Sequence, residues 1–248
     1  MSRFYISRVI AGDTVSIKDA GQLHHLRYVL RLRIGDTVTV FDSVGNEFSG
    51  IISKMDKKQV DLTLQERKMT RPKRIRIAIA CAIPKKSRMD DIIDKLTQLG
   101  VDTIIPVQTK RGIVKLEEKE ASRLERWRKI ALSASEQSRR NSLPETTSVM
   151  GLEEVLKYSQ TYDLKLIPTL EGAGEKLSQV IPAVTGDLST ASPASILVLI
   201  GPEGDFTPEE AGMAVRAGAI PVSLGDSVLR VETAAIAIAA YIIFSFMD

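Results

Sequence analysis

Ile196-Leu197-Val198-Leu199-Ile200-Gly201-Pro202-Glu203-Gly204-Asp205-Phe206 joins an unbroken apolar run to a glycine-bearing turn, and Leu224-Gly225-Asp226-Ser227-Val228-Leu229-Arg230-Val231-Glu232-Thr233-Ala234 repeats the arrangement downstream. Each reads as a strand buried on both faces, then a loop, then a helix. Two such loops emerge side by side at the carboxyl ends of parallel strands, where open α/β sheets bind ligands. The functional site is expected there.

Working outward, the pattern upstream divides in two. From Phe4 to Leu64 short extended runs alternate with turns: Thr14 to Ile17, Thr37 to Phe41, Phe48 to Ile52 and Val60 to Leu64. Their length and spacing predict a small β-barrel. Within it, Leu26, Val29 and Leu30 share one face of a short helix at His24 to Arg31. The basic stretch around Pro72 closes this unit, and strands then alternate with helices. Ile75 to Ile83, a helix from Arg88 to Leu99 ended by Gly100, and Asp102 to Val107 make a βαβ unit. A long helix is expected from about Glu118 to Arg139, a shorter one at Leu152 to Tyr158, a strand at Leu164 to Leu170 and a helix at Glu175 to Val180. Thr207-Pro208-Glu209-Glu210 supplies an N-cap, a proline at the first helical position and a glutamate at the third. That helix stops at Gly218. Strand Ile220 to Leu224 leads to a terminal helix from Thr233 to Phe246.

Composition sets limits on function. The 248 residues are 44% hydrophobic and 26% charged, ordinary values for a folded chain with a real core. The single cysteine, Cys81, sits in an apolar run as a buried strand thiol and fits a reducing compartment. No signal-peptide pattern opens the chain, and the apolar segment Ala234 to Phe244 is too short to span a bilayer, so a cytoplasmic protein is expected. The net charge is only +3. The sequence pI is nevertheless about 8.9. The cations cluster at Arg67, Lys68, Arg71, Lys73, Arg74 and Arg76 and again at Arg123, Arg126, Arg128, Lys129, Arg139 and Arg140, which reads either as a solvated linker and a solvated helix face or as a surface for a polyanion. A dinucleotide fingerprint, a Walker A loop and a nucleophile elbow are all absent from the sequence, and two adjacent histidines with one cysteine give no zinc spacing. No metal is expected.

His24-His25-Leu26 with Val29-Leu30-Arg31, Asp94-Lys95 with Leu99-Gly100-Val101, Arg126-Trp127 with Glu136-Gln137-Ser138 and Arg140-Asn141, Ile200 to Gly204, and Leu224-Gly225 with Leu229-Arg230 and Glu232-Thr233-Ala234 occur in one order along the chain. Together they resemble the ribosomal RNA small subunit methyltransferase E (RsmE) family over nearly the full length. The resemblance implies a PUA-like RNA-binding β-barrel at 1–72. It also implies a SPOUT methyltransferase domain at 73–248, an α/β parallel sheet with a deep C-terminal trefoil knot. With it come a homodimer, S-adenosyl-L-methionine as methyl donor, and methylation at N3 of one uridine in 16S ribosomal RNA of the small subunit. Gln98, Asp205, Arg139, Ser142 and Ser227 depart from the family pattern.

The resemblance places the cofactor on Leu170, Ile200, Gly201, Gly204, Leu224, Gly225 and Leu229. Uracil N3 carries a proton and becomes a nucleophile when that proton leaves, so a base and a cation are wanted. Arg230 offers a permanently charged guanidinium for the uracil oxygens, or else a helix-start ion pair with Glu232. Glu203 and Glu232 are the two loop carboxylates. Each is a candidate base, or alternatively a structural acceptor and a helix-start charge respectively. RNA capture falls to His24, His25, Arg27 and Arg31, with Arg139 and Arg140 at the second basic cluster; the histidines are alternatively local hydrogen-bonding groups, and Arg140 is a solvated helix-end cation or, by the resemblance, reaches the active site of the dimer partner. Two other readings stand beside this one: a SPOUT ribose 2′-O-methyltransferase, and a non-catalytic RNA-binding assembly factor.

Overall fold

The computed structural model describes residues 2–68, 75–85, 88–112, 120–169, 174–185 and 194–246. Leu170, three cations of the first basic cluster (Arg71, Lys73, Arg74) and most of the Ser/Thr-rich stretch 188–195 lie outside the described residues.

The chain forms two compact units, one of 1–72 with 132–143 and one of 73–131 with 144–248. In the first, β1 (Arg3–Ile6), β2 (Thr14–Ile17), β3 (Thr37–Asp42), β4 (Glu47–Asp56) and β5 (Gln59–Lys68) form one sheet in the order β1-β3-β4-β5-β2. The β1–β3 pair is parallel and the rest antiparallel. Alternate residues turn inward, so Phe4, Ile6, Val15, Ile17, Val38, Val40, Ile52 and Leu62 make its core. The first strand, β1, went unread in the sequence.

The helix expected at His24 to Arg31 is displaced. Asp19 caps α1 (Ala20–His24) by accepting from the Gln22 amide at 2.9 Å, and the chain then widens into a π-helical turn at His25–Val29. Leu26 is fully buried, but the changed pitch leaves Val29 and Leu30 outside. Buried Gln22 exchanges two 3.0 Å hydrogen bonds with the Tyr5 backbone and so ties α1 to β1.

The second unit holds β6 (Ile75–Ala82), α2 (Arg88–Leu99), β7 (Thr103–Gln108), two short strands β8 (Glu145–Thr146) and β9 (Met150–Gly151), and α4 (Leu152–Tyr158). Between β7 and β8, α3 (Glu120–Gln137) runs from this unit's residues into segment 132–143 of the first. The chain continues through β10 (Leu164–Pro168), β11 (Glu175–Lys176), α5 (Leu177–Thr185), β12 (Ala194–Ile200), α6 (Pro208–Arg216), β13 (Ile220–Ser223) and α7 (Val231–Phe244). The sheet order is β11-β13-β10-β12-β6-β7-β8, with β9 also on β7, and each of these ladders is parallel.

Where a helix was expected from Glu175, two residues pair with β13 first. Gly174 allows this, since a Cβ there would lie 2.6 Å from the Val222 carbonyl carbon. On one face of the sheet Ala78, Ala80, Ile105, Leu197 and Leu199 pack with Leu152 and Val155 of α4 and Ala214 of α6. Strand alternation sends Ile77, Ile79 and Cys81 to the other, and α7 packs on α2 and β6. The strand order reverses around β10 and β12, and the carboxyl ends of β10, β12 and β13 stand together there.

Candidate active site

The first loop is shaped by its own residues. The Asp205 amide donates to the Pro202 carbonyl at 2.9 Å, and Asp205 adopts φ +60°, a region tolerated by aspartate. Its carboxylate accepts from the Phe206 amide at 2.7 Å. A side chain at Gly201 would meet that carboxylate at 3.0 Å and the Phe206 ring at 3.1 Å, so the turn packs tightly over the glycine. Thr207 and Glu210 then cap α6 reciprocally, at 3.2 and 2.8 Å. The expected helix start is observed.

Residues that sequence reading missed brace this loop. Buried Glu210 also accepts from the Lys110 amide at 2.8 Å, Lys110 pairs with Glu209, and Arg111 donates to the Gly204 carbonyl. The hydrogen bond from Lys110 to Glu209, with that carboxylate's charge, raises the lysine pKa above its ordinary value. Both cations lie just beyond β7, where no motif marks them.

In the second loop Gly225 adopts φ +107° and its amide donates to the Ser223 hydroxyl at 3.2 Å. The helix α7 starts at Val231, two residues earlier than expected, which makes Arg230 its extended N-cap residue.

Between the loops lies a cleft of about 250 Å³. Of the expected cofactor residues, Ile200, Gly201, Leu224, Gly225 and Leu229 line it, together with Pro168, Thr169 and the start of α7 at Val231 and Ala234. Glu203 lines it as well, and its carboxylate accepts from the Lys85 amide at 3.5 Å. Gly204, Arg230 and Glu232 are not part of this lining, and Arg230 is exposed. Glu232 pairs with Arg88 at 3.6 Å, rather than with the neighbouring Arg230, because α7 packs on α2. Cys81 is the buried strand thiol expected; burial pushes its pKa far up, and the charges of Glu232 and Glu203 add to the effect. It is held as an inert thiol.

The expected RNA-binding residues lie in the first unit. The rings of His24 and Tyr28 stand 5.1 Å apart, His25 meets Phe4 edge-on at 6.5 Å, and both histidines are exposed. Arg27 is a tether: its guanidinium donates to the carbonyls of Asp56 and Lys57 in the β4–β5 turn. Arg31 and Arg139 are exposed and left-handed, at φ +55° and +57°. Arg140 donates to the Ser142 hydroxyl at 3.2 Å. Beside it, Arg3 joins Asn141 to buried Glu47, at 2.6 and 2.7 Å. Burial opposes ionisation of Glu47, but Arg3 and Lys68 outweigh it and hold its pKa below the ordinary value.

Among the described residues no cluster of three or more metal-ligating side chains occurs, and no helix is long and apolar enough to cross a membrane.

A family profile described as an RNA methyltransferase domain matches residues 71–243, and one described as an RNA methyltransferase PUA domain matches 17–65. The chain is similar to ribosomal RNA small subunit methyltransferase E of Bacillus subtilis, 31% identical over 94% of this chain and 93% of that protein. It is similar to the Neisseria gonorrhoeae protein of that name, solved with bound S-adenosyl methionine, at 32% identity, TM-score 0.84 and full coverage of both chains. A Legionella pneumophila methyltransferase structure holding SAM aligns at 30% identity and TM-score 0.84, over 98% of this chain and 97% of that one.

Proposed function

The chain belongs to the ribosomal RNA small subunit methyltransferase E family, and from that premise we propose that it transfers a methyl group from S-adenosyl-L-methionine to N3 of one uridine in 16S ribosomal RNA. As a family member it is an RNA methyltransferase that uses this cofactor. The observation that carries the reading is the cleft between the two glycine-bearing loops, at the switch point of a parallel sheet.

The cleft fits the cofactor. Ile200, Leu224 and Leu229 give it apolar wall, Gly201 and Gly225 leave backbone uncovered, and Glu203 sets a negative charge at the lining of a site for a cationic sulfonium. Gly204 would hold the loop through its carbonyl. When bound, the cofactor supplies an electrophilic methyl carbon. Glu203, at the cleft, would take the N3 proton; the nitrogen lone pair then forms the N–CH3 bond as the S–CH3 bond breaks toward sulfur. Arg230, at the first turn of α7, would hold the charge developing on the uracil oxygens. Glu232, paired with Arg88, is assigned to positioning.

In this reading 1–72 is the RNA-capturing PUA-like barrel, 73–248 is the SPOUT domain with its trefoil knot, and the enzyme works as a cytoplasmic homodimer. His24, His25, Arg31, Arg139 and Arg140 would face RNA, while Arg27 shapes that surface through its tether. The test is methyl transfer from labelled S-adenosyl-L-methionine to small subunits lacking the modification, with the product nucleoside identified by mass spectrometry. 3-Methyluridine is expected. A ribose-methylated nucleoside overturns the N3 assignment, and absence of transfer overturns the enzymatic reading of this cleft.

A further inference from the structure

Ten large hydrophobic side chains are exposed among the described residues, and four of them, Tyr28, Val29, Leu30 and Ile34, fall within one short segment of the first unit. Tyr28 and Ile34 are 68% and 63% exposed. The π-helical turn creates this face, because a regular α-helix would have carried Val29 and Leu30 inward with Leu26.

The backbone that ends the turn is strained for a charged side chain. The Leu32 amide donates to the Leu26 carbonyl at 3.0 Å across a left-handed Arg31, the closing pattern in which glycine is the relaxed residue. The guanidinium is exposed, and neither it nor that of Arg33 pairs with a carboxylate among the described residues. Arg27 draws the β4–β5 turn alongside and brings exposed Lys57 and Lys58 with it. Two carboxylates lie here as well: Asp56 pairs with Lys54 at 3.8 Å and accepts from the Lys58 and Gln59 amides at 3.1 Å each, and Asp36 accepts from the Arg33 amide at 2.7 Å. An exposed aromatic ring in the same short segment as exposed arginines that pair with no carboxylate among the described residues suits a nucleobase flanked by phosphates.

We propose that Tyr28 is a stacking platform for one unpaired base of the substrate RNA, with Arg31 and Arg33 on the phosphates beside it. The inference rests on the RNA-methylating reading above and adds a subsite to it. His24, whose ring lies 5.1 Å from that of Tyr28, backs the platform from the preceding turn. Base stacking on an aromatic ring is tolerant of sequence. Tyr28 therefore supplies affinity, and choice of the uridine stays with the cleft.

The experiment compares Tyr28→Ala, Tyr28→Leu and Tyr28→Phe with wild type in two assays. One is filter binding of 16S ribosomal RNA over a salt series, and the other is steady-state methylation of small subunits lacking the modification. The ring is exposed and stands beside exposed His24, so all three variants are expected to fold, which circular dichroism checks. Alanine and leucine are expected to weaken RNA binding and raise KM for the subunit by roughly 5- to 150-fold, with kcat unchanged and the salt slope kept. Phenylalanine stays close to wild type. Leucine binding RNA as well as wild type overturns stacking in favour of an apolar contact that needs no aromatic ring, and unchanged binding by alanine overturns the subsite altogether. If wild type binds RNA but methylates no subunit, the enzymatic reading fails while the binding assay still decides the role of Tyr28.

Discussion

Arg88, at the start of α2, reaches Glu232 in the first turn of α7, with 3.6 Å between guanidinium and carboxylate. The pair separates two carboxylates that sequence reading left equivalent, since Glu203 lies at the cleft and Glu232 is already engaged. A partly buried pair held at this length contributes about 0–1 kcal/mol to stability. Glu232→Gln and Arg88→Ala are therefore expected to behave alike, with small losses of stability and modest losses of rate. Glu203→Gln is expected to weaken cofactor binding modestly and, with cofactor saturating, to slow single-turnover methylation by roughly a hundredfold or more. Arg230→Ala should lose about a hundred- to a thousandfold in the same assay. A Glu232→Gln variant slower than Glu203→Gln would exchange their roles.

Two glycines give a contrasting pair of outcomes. At Gly225 a Cβ meets nothing within 4 Å, but φ is +107°. Gly225→Ala is therefore limited to backbone strain of about 1–2 kcal/mol, felt as weaker cofactor binding where the loop relaxes. At Gly174 the Cβ would collide with Val222 backbone at 2.6 Å, and backbone yields less readily than a flexible side chain. Gly174→Ala is expected to break the β11–β13 pairing, lowering the melting temperature more than Gly225→Ala does. Calorimetry and cofactor titration of the two variants check the order.

The loops at 201–206 and 224–230 were legible because apolar runs, glycines and the Thr207 to Glu210 cap are local signals, and the cleft formed where they pointed. What escaped was non-local. Nothing in sequence ties Arg111 to Gly204, Arg88 to Glu232 or Asn141 to Arg3, since each partnership joins residues far apart in the chain. The π-turn escaped for another reason: Leu26, Val29 and Leu30 fit a helical period, and only the altered pitch shows that Leu26 alone of the three goes in.

The left-handed Arg31 couples stability to binding. Glycine relieves an L-residue strain of about 1–2 kcal/mol at φ +55°, so Arg31→Gly is expected to be more stable than wild type despite losing a side chain. Its RNA affinity should fall, and the slope of log affinity against log salt should shrink by about one contact. Chemical denaturation and a salt series of RNA binding read the two effects separately. A variant that gains stability and keeps its salt slope would remove Arg31 from the RNA surface.

Glu136 predicts the pH response of the first unit. Burial pushes its carboxyl up to about 7 from an ordinary 4.5, the Asp19 charge adds to the rise, and the Tyr5 backbone and Arg3 oppose it. The folded state therefore holds a proton that the unfolded chain releases above about pH 4.5, so stability falls as pH rises from there to about 7 and levels off beyond. A fully desolvated group would lose roughly 3 kcal/mol over that window. Glu136 keeps part of its surface in water, and screening reduces the expected loss to ~1–2 kcal/mol. Glu136→Gln, which cannot ionise, should abolish that slope and exceed wild-type stability at pH 8, while matching it near pH 4.5. Thermal melts of both proteins at pH 4.5, 6 and 8 test this. Parallel curves for the two would mean that the carboxyl is ionised in the fold and solvated by a rearranged 132–143 segment.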